Sequence, residues 1–375
     1  MTGIGIIGIG FMGYTHFEAA KKLNGAKVTA IATRNEKKLS GDWNGIQGNF
    51  GPPAGQTDLT GVACYSDYKE LLADPNVDLV DVCLPTDLHE QVVLEAIAAG
   101  KAVLVEKPIA IDLAAADRMV NAAEEKGVPL LVGHVLPFFP EFAYAAQAII
   151  SGEFGKLKAA HLRRVICKPN WSEDMSDFRK LGGWGIDLHI HDNHFIAHAC
   201  GVPKAVFSRG LLQDDFVNHV HSQYVFEDPD LAITCVSGGI AAGGLEFGHG
   251  FELYLEEATI MFDDGTFAGV WVVNTPLRLI TNDGVNTPEL NADSEWCGAF
   301  TAELQTAVDA VNSGTESRIL SGGLARDALR MCFAEARSIA SVRCSRSDCK
   351  RNPSRYSRHG RLNLLQRVGN RGDRP

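Results

Sequence analysis

Three features that would assign the chain to a large class of protein are missing from the sequence. Its apolar runs fall short of the roughly 18 consecutive residues that a membrane helix needs. The nine cysteines form no CxxC pair, and an odd number at irregular spacing does not build a disulfide framework. The apolar start MTGIGIIGIGFMG has neither the basic region nor the cleavage site of a signal peptide. We therefore expect a cytoplasmic protein without a membrane partner.

Basic residues are scarce before residue 343, although the total composition hides this. The chain carries 35 Lys and Arg against 46 Asp and Glu, a net charge of −11. Residues 343–375 hold ten Lys or Arg against two Asp or Glu, which leaves −19 for residues 1–342. Because an acidic body repels a phosphate backbone, we expect no nucleic-acid partner. We interpret residues 342–375 as a basic, disordered tail.

Residues 1–132 alternate short apolar runs with helical patterns. Strands that are almost wholly apolar suit a sheet covered on both faces, and their alternation with helices predicts parallel crossovers. The pattern therefore predicts a doubly wound α/β domain of the Rossmann type, in which the glycine-rich segment 40–61 is a surface loop. The predicted strands are GIGIIGIG, KVTAIATR, VDLVDVCLP, KAVLVEKP and VPLLVGHV, and two of the predicted helices are HEQVVLEAIAAG and LAAADRMVNAAEEKG.

Residues 133–341 contain more candidate strands than helices. Turn signals at DDG, residues 263–265, and NDG, residues 282–284, predict antiparallel hairpins. We therefore expect a second α/β domain with a mostly antiparallel sheet. Its predicted strands are KAAHLRRVI, NHVHSQYVFED, LAITCVSGG, FELYLEEATIMF and GVWVV, and its predicted last helix is LSGGLARDALRMCFAEARSIA.

The segment GIGFMG directly follows the first predicted strand and directly precedes a helical run. The spacing of Gly8, Gly10 and Gly13 permits a tight turn, close approach of a pyrophosphate and close packing of helix on strand. The N-terminus of that helix offers unpaired N–H groups and a positive dipole end to an anion. We therefore predict dinucleotide binding at this turn, with Phe11 and Met12 among the contacts.

The end of the second strand bears on the choice between NAD and NADP. Thr33 stands where an acidic residue would normally accept from the ribose 2′-hydroxyl, and Arg34 follows it. A neutral hydroxyl beside a guanidinium removes repulsion of a 2′-phosphate and supplies a bidentate partner for it. The pattern therefore favours NADP over NAD, although Arg34 also suits a surface turn or a stack on adenine.

Two further strands end in residues that suit a ligand crevice. CLPTDLH places Pro85, Thr86 and His89 after one strand, and VEKP places Glu106 and Lys107 after the other. Ligands of doubly wound sheets bind at the carboxyl ends of the strands. We therefore predict that these five residues contact the cofactor, while His89 also suits a helix cap or an exposed position.

The stretch GGWGIDLHIHDNH, residues 182–194, concentrates histidines and aspartates. If residues 187–198 form one helix, Asp187 and His191 lie one turn and ~6 Å apart, close enough to meet one small substrate. A histidine with a neighbouring carboxylate is oriented and suits proton transfer near neutral pH. The spacing therefore predicts an acid/base pair.

Two other histidine pairs have spacings compatible with zinc. His194 and His198 are four residues apart, and His219 and His221 are two apart. Neither pair is accompanied by a cysteine pair or an HExxH motif. We therefore predict no metal site and interpret these four histidines as structural residues.

The motifs GIGFMG, LPTDLH, VEKP and GGWGIDLHIH, in this order between Ile4 and Ala340, resemble those of the Gfo/Idh/MocA family of oxidoreductases. The resemblance implies NAD(P)-dependent chemistry at a hydroxyl carbon of a sugar, cyclitol or related polyol. It implies an open, mostly antiparallel second sheet that forms oligomer contacts. It also implies that Lys107 lies beside nicotinamide and substrate, where Asp187 and His191 complete the site.

The chain departs from that family pattern at three positions. Trp184 interrupts the glycine-rich run, His189 stands where glycine is common, and Pro137 stands where many relatives carry arginine. These departures affect the shape of the substrate pocket. We assign to that pocket Lys107, His134, Trp184, Asp187 and His191.

Together the motifs predict an oxidoreductase with NADP or NAD as cofactor and a small sugar or polyol as substrate. In this hypothesis His191 is the acid/base, Asp187 orients it, and Lys107 binds the reacting oxygen. We expect residues 1–132 to bind the dinucleotide and residues 133–341 to bind substrate and form a homo-oligomer, a dimer or a tetramer. The alternative is a non-catalytic, dinucleotide-sensing regulatory protein of the same fold.

Overall fold

The computed structural model describes residues 1–48, 50–167, 178, 182–290 and 295–344. Met1–Ile339 form one compact unit and Ala340–Pro375 a second one, of which only the end of the last helix is described. The predicted basic tail lies outside the described residues beyond Cys344. The division of the first unit at residue 132 stays a prediction. Among the described helices, none has the length and apolar character needed to cross a membrane.

The first sheet consists of β1 Thr2–Ile7, β2 Ala26–Ala32, β3 Ala63–Tyr65, β4 Leu79–Val82, β5 Ala102–Glu106 and β6 Leu130–Gly133. All six strands are parallel, in the order β3-β2-β1-β4-β5-β6. Every residue of β1, β4, β5 and β6 is buried, because apolar clusters cover both faces of the sheet. The predicted doubly wound sheet is confirmed, and its order reverses between β1 and β4, where a ligand crevice opens.

Five helices connect these strands: α1 Phe11–Ala20, α2 Glu36–Leu39, α3 Tyr68–Ala73, α4 His89–Ala98 and α5 Leu113–Lys126. The side chains of Asn35, Asp67 and Asp112 accept from the first N–H groups of α2, α3 and α5. Helix α5 ends at Gly127 with a φ of 69°, the left-handed conformation that favours glycine. Local capping signals therefore fix the ends of these helices.

The second sheet has eight strands, and one of its faces is open. Their order is β14-β13-β12-β11-β7-β10-β9-β8, and all neighbours are antiparallel except the parallel pair β7 and β10. Inward side chains alternate with exposed ones along β8 and β9, so the predicted mostly antiparallel sheet is confirmed. The strands are β7 Leu157–Cys167, β8 Ala205–Gln213, β9 Phe216–Val225, β10 Ala232–Ala241, β11 Leu245–Leu255, β12 Thr259–Phe267, β13 Val270–Thr281 and β14 Gly284–Asn286.

The remaining α-helices among the described residues are α6 Pro140–Ser151, α7 Trp184–Asp187, α8 Ile190–Cys200, α9 Gly298–Ser313 and α10 Gly322–Cys344. Phe142 of α6 and Phe195 of α8 pack edge to face at 5.5 Å in the core against the second sheet. Leu304 of α9 belongs instead to the core beneath the first sheet. The chain therefore returns to the first sheet after it has built the second.

One predicted strand and one predicted turn are wrong. FELYLEEATIMF spans β11, a turn at Glu256–Glu257 and β12, and the DDG signal lies inside β12. The Asp263 side chain accepts from Asn274 at 2.8 Å, and Asp264 lies 2.7 Å from Nε2 of His249. These tertiary contacts hold a turn-like sequence in a strand, whereas the NDG signal does separate β13 from β14.

The segment 40–61 is not the plain surface loop that its glycines predict. Trp43 is fully buried, with its ring 4.8 Å from that of Phe17 and its indole N–H donating to the Lys38 carbonyl at 2.8 Å. Phe50 stacks on Phe300 at 5.4 Å. Two aromatic anchors therefore fasten the segment to helices of the first sheet.

Candidate active site

Parallel strands bring the predicted site residues to one edge of the first sheet. Ile7 of β1 pairs with Ala32 of β2 and Val82 of β4, and Val82 pairs with Val105 of β5. The carboxyl ends of these strands therefore lie side by side. The residues that follow β1, β2, β4, β5 and β6 are Gly8, Thr33, Cys83, Lys107 and His134.

The glycine-rich turn fits a dinucleotide. Gly8 has a φ of 96°, and a Cβ there would lie 2.6 Å from the carbonyl oxygen of Cys83. A Cβ at Gly13 would lie 2.1 Å from the carbonyl oxygen of Gly8, so helix and strand pack too closely for a side chain. At Gly10 no described atom lies within 4 Å of a built Cβ, and α1 begins next to it without a side-chain cap. The turn therefore offers room and N–H groups to a pyrophosphate.

The two residues between Gly10 and Gly13 are the first of helix α1. Phe11 and Met12 are half-buried at the mouth of the turn. The ring of Phe11 contacts that of Phe50 edge to face at 4.7 Å. Their predicted contact with cofactor therefore fits their position, and it stays a prediction.

Three polar residues follow the end of β2, where contact with the ribose of a dinucleotide is predicted. Thr33 is half-buried, and its hydroxyl accepts from the backbone N–H of Asn35 at 3.3 Å. Arg34 is exposed. Sequence reasoning missed Lys38, whose Nζ donates to the carbonyl oxygen of Ile9 in the glycine-rich turn, and burial lowers the pKa of this lysine. The available signal was a second basic residue one helical turn after Arg34.

Lys107 and Asp187 form an ion pair between the two halves of the described chain. The Lys107 Nζ donates to the carbonyl oxygen of Asp187 at 2.8 Å and to its Oδ1 at 3.1 Å. The two side chains are 19% and 15% exposed, so the pair is partly accessible. Glu106 points inward, and its Oε2 accepts from the backbone N–H of Lys107 at 3.1 Å. Residues predicted from separate motifs thus meet at one point.

The single helix expected over residues 187–198 is wrong. Helix α7 ends at Asp187, a turn follows, and α8 begins at Ile190. Among the described residues, the Asp187 carboxylate hydrogen-bonds with Lys107 and not with His191. Because an ammonium–carboxylate contact is directional and strong, the geometry makes Asp187 the orienting partner of Lys107.

His191 is half-buried at the start of α8 and is neutral at pH 7. Burial and the positive charges of Lys107 and Arg164 hold its pKa well below the usual 6.5. His134 lies behind it, with the two rings perpendicular and 6.4 Å apart. His134 is fully buried and stacks on His194 at 4.0 Å, so it backs the His191 ring and does not reach the surface of the pocket. In this structure His134 therefore makes packing contacts, and its predicted substrate contact stays a prediction.

The residues after β4 divide into an exposed part and a buried part. Pro85 is exposed and Thr86 half-buried, as the predicted cofactor contacts require. His89 is fully buried, with Nδ1 3.0 Å from the carbonyl oxygen of Pro108 and Nε2 2.8 Å from that of Leu84. Both ring nitrogens are therefore occupied, and His89 joins two loops of the site instead of contacting nicotinamide.

Two of the three departures from the family pattern, Trp184 and His189, lie in the protein core. Trp184 is 2% exposed, and a Cβ at Gly239 would lie 2.2 Å from its indole nitrogen, so the ring is covered. His189 is fully buried, 3.0 Å from Oε1 of Glu335 in α10. Trp184 is thus covered in this structure, and its assignment to the substrate pocket stays a prediction.

Sequence reasoning also missed a buried ion pair next to His191. Arg164 donates to both carboxylate oxygens of Asp192 at 3.0 and 3.2 Å, and its Nη1 lies 3.2 Å from Nδ1 of His249. The pair is almost fully buried. The one sequence signal was an arginine at an inward position of β7, between Leu162 and Ile166. This positive charge contributes to the neutral state of His191.

The histidines with zinc-compatible spacing have other contacts. The Nε2 of His194 lies 3.0 Å from the carbonyl oxygen of Ile319, on the far side from His191. The Nε2 atoms of His219 and His221 lie 3.2 Å from each other. Their interpretation as structural residues fits these contacts.

Residues 2–134 match the family model described as "Oxidoreductase family, NAD-binding Rossmann fold", which is that of the Gfo/Idh/MocA proteins. This matched segment contains the glycine-rich turn, the strand ends and Lys107. The resemblance predicted from the motifs is confirmed for residues 2–134, which are similar to the NAD-binding part of the Gfo/Idh/MocA oxidoreductases.

Individual relatives agree with this family. The chain is 32% identical over 214 residues to a myo-inositol 2-dehydrogenase of Thermotoga maritima, a match that covers 56% of this chain and 59% of the relative. The chain thus spans little more than half the length of this curated relative. A probable dehydrogenase structure from Thermotoga maritima has a TM-score of 0.72 and 25% identity, covering 91% of this chain and 97% of that one. A structure of an Agrobacterium radiobacter oxidoreductase with NAD+, L-tartaric acid and magnesium has the same fold, with a TM-score of 0.72 and 19% identity, covering 91% of this chain and 97% of that one.

Proposed function

We propose that the chain is an NAD(P)-dependent oxidoreductase that transfers a hydride between nicotinamide and a hydroxyl-bearing carbon of a sugar, cyclitol or related polyol. The contact of Lys107 with Asp187 at 3.1 Å, at the strand edge that carries the glycine-rich turn, is the observation that carries this proposal. The likeness to a myo-inositol 2-dehydrogenase supports a polyol substrate. Free thiols such as Cys64 and Cys332 support a reducing, cytoplasmic location.

The side chains of the site suit the two proton-linked steps of this reaction. When bound, the nicotinamide supplies the hydride acceptor or donor. Oxidation requires the substrate hydroxyl to lose its proton as the carbonyl forms, and the neutral ring of His191 accepts it. The Lys107 ammonium group, held by Asp187, donates to the reacting oxygen and stabilises the negative charge that develops there.

A substrate screen tests the proposal directly. The purified chain is mixed with NAD or NADP and a panel of sugars, cyclitols, polyols and sugar acids, and reduced nicotinamide is followed by its absorbance. We expect turnover with at least one member of the panel. Tight dinucleotide binding without turnover, together with a co-purifying protein, would contradict the proposal and favour a dinucleotide-sensing regulator.

We further propose that NADP is preferred, because Arg34 and Lys38 add two cations beside the neutral Thr33. Arg34→Ser should weaken NADP binding about tenfold, ~1.4 kcal/mol, and leave NAD binding within about twofold. Isothermal titration calorimetry measures both affinities, and Lys37→Ser, which changes an exposed neighbour on α2, is the matched control. An equal loss for NAD and NADP would contradict the preference.

We also propose that the open face of the second sheet joins copies of the chain into a dimer or tetramer. Large apolar side chains are exposed on this face, among them Phe207 at 55% and Leu211 at 51% on β8. Monomeric proteins seldom leave so much contiguous apolar surface in water. Sedimentation analysis should find an oligomer that Phe207→Glu weakens, and a monomer at every concentration would contradict this.

A further inference from the structure

A cluster of buried ionisable groups lies beneath the glycine-rich turn. His16 of α1 is fully buried, and its Nδ1 lies 2.9 Å from Oδ2 of Asp81 in β4. Its Nε2 lies 3.1 Å from Oε1 of Glu106 in β5 and 4.0 Å from Oε2 of Glu303 in α9. The thiol of Cys83 lies 3.5 Å from Nδ1. Three segments that are far apart in sequence thus converge on the imidazole ring of a fourth.

The cluster is connected to the lysine that the proposed function uses. One carboxylate oxygen of Glu106 faces His16, and the other accepts from the backbone N–H of Lys107. The side chain of Lys107 contacts Asp187 in turn. A continuous series of polar contacts therefore runs through Asp81, His16, Glu106, Lys107 and Asp187.

Glu303 is the carboxyl group of the cluster that no hydrogen bond satisfies, whereas Nε2 of His16 lies 3.1 Å from Oε1 of Glu106 in an ion pair without hydrogen-bond geometry. Glu303 is fully buried, and neither carboxylate oxygen has a hydrogen-bond partner among the described residues. Burial raises the pKa of Glu303 well above its usual value; His16 opposes this shift, and Glu106 and Asp81 add to it. Because an unpaired buried carboxylate is costly, these surroundings favour the protonated form of Glu303.

His16 is the second group of the cluster whose pKa is raised. Burial lowers its pKa, but the neighbouring Asp81 and Cys83 more than offset this effect, so the pKa lies well above 6.5. Both nitrogens of an imidazolium carry N–H groups, whereas a neutral ring carries only one. The charged ring therefore attracts Asp81 and Glu106 at the same time, with Glu303 neutral on the remaining side.

We propose that His16 is a positioning residue of the active site, a charged clamp that ties Asp81 to Glu106 and thereby fixes Lys107 beside Asp187. The clamp acts through the backbone of Lys107 and touches neither substrate nor cofactor. The effect of the clamp on catalysis rests on the proposed function of Lys107. Its structural part is independent of turnover and is tested first.

The reactivity of Lys107 with an amine-labelling reagent, quantified by peptide mass spectrometry, reports how firmly this side chain is held. We expect His16→Gln and Asp81→Asn to raise its labelling rate at least ~3-fold, because the released ammonium group leaves Asp187 more often. The matched control is His194→Gln, which removes another fully buried imidazole, bonded to the Ile319 carbonyl. This control should lower Tm without changing the labelling of Lys107.

Kinetics separate a positioning role from a purely structural one. In His16→Gln we expect kcat to fall at least ~10-fold, with dinucleotide affinity within about threefold of wild type. The folded pKa of His16 is raised, so the clamp is present at low and neutral pH and is lost as pH rises through that pKa. The corresponding alkaline loss of wild-type kcat should be missing from the variant.

Unchanged labelling of Lys107 in both variants would overturn the clamp. A metal ion would also overturn it, if the native protein contained one equivalent and His16→Gln lost it. The ligand atoms of His16, Asp81 and Cys83 lie within 4.8 Å of one another, so such an ion would hold the cluster in place of the charged ring. If His16→Gln does not fold, nitrogen NMR of the wild type decides: an imidazolium at pH 7.5 supports the clamp, and a neutral ring overturns it. Altered labelling with no turnover in the wild type would keep the clamp and reject the proposed function.

Discussion

We expect Lys107→Met to lower kcat at least ~10²-fold and to change dinucleotide affinity less than about threefold. Methionine keeps most of the length of the side chain but removes the charge that contacts Asp187 at 3.1 Å. In oxidation the substrate oxygen becomes more negative as its proton leaves. The ammonium group therefore stabilises the transition state more than the ground state. The loss therefore falls mainly on kcat.

The chain offers a matched control for this variant. Lys101 lies at the opposite end of β5, where its Nζ donates to the backbone carbonyls of Asp74 and Val77 at 2.9 and 2.7 Å. Lys101→Met removes the same charge from the same strand, away from the strand ends that carry the site. It should lower Tm and leave kcat within about twofold. Equal effects of the two substitutions on kcat would assign the Lys107 result to stability alone.

The sequence was most informative where one residue alone decides the local structure. Gly8 must adopt a positive φ and Gly13 must let a helix approach a strand, and both demands are visible in the spacing GxGxxG. The almost wholly apolar strands predicted the parallel sheet. That sheet places Thr33 and Lys107 on the same edge. This part of the site therefore follows from local pattern and sheet topology.

The rest of the site depends on contacts between distant segments. The partner of Asp187 was not predictable from helical spacing, because a turn between α7 and α8 aims its carboxylate at Lys107. His16 lies inside an ordinary helical run, and carboxyl groups from β4, β5 and the returning helix α9 surround it. Long-range packing of this kind leaves no periodic signal in the sequence.

The prediction of a surface loop over residues 40–61 was wrong for a related reason. The composition of this segment predicts a surface loop, since glycine and proline favour turns. Trp43 nevertheless anchors it, because burying an indole ring removes a large apolar area from water. The packing of two aromatic side chains decides the structure of this segment in spite of its six glycines. Composition alone does not reveal which side chains will be buried.

We expect His191→Asn to lower the rate of alcohol oxidation at least ~10²-fold. The variant should also lose the acid limb of the pH profile, the fall of kcat/KM at low pH. Oxidation needs the neutral ring as proton acceptor. Burial and the charges of Lys107 and Arg164 hold the pKa of His191 well below 6.5, so wild-type kcat/KM should stay flat below neutrality. It should fall only once the pH drops through that lowered pKa, whereas an unperturbed histidine would already lose activity at 6.5.

The matched control for this prediction is His198→Asn on the same helix, α8. His198 is half-buried, and its ring lies 6.5 Å from that of His194. Its replacement should leave both the rate and the acid limb unchanged. In the reduction direction the requirement reverses, because the ring must then deliver a proton, and the rate should rise as the pH falls toward the same pKa. An acid limb that persists in His191→Asn would assign the titrating group to another residue and remove His191 from the proton transfer.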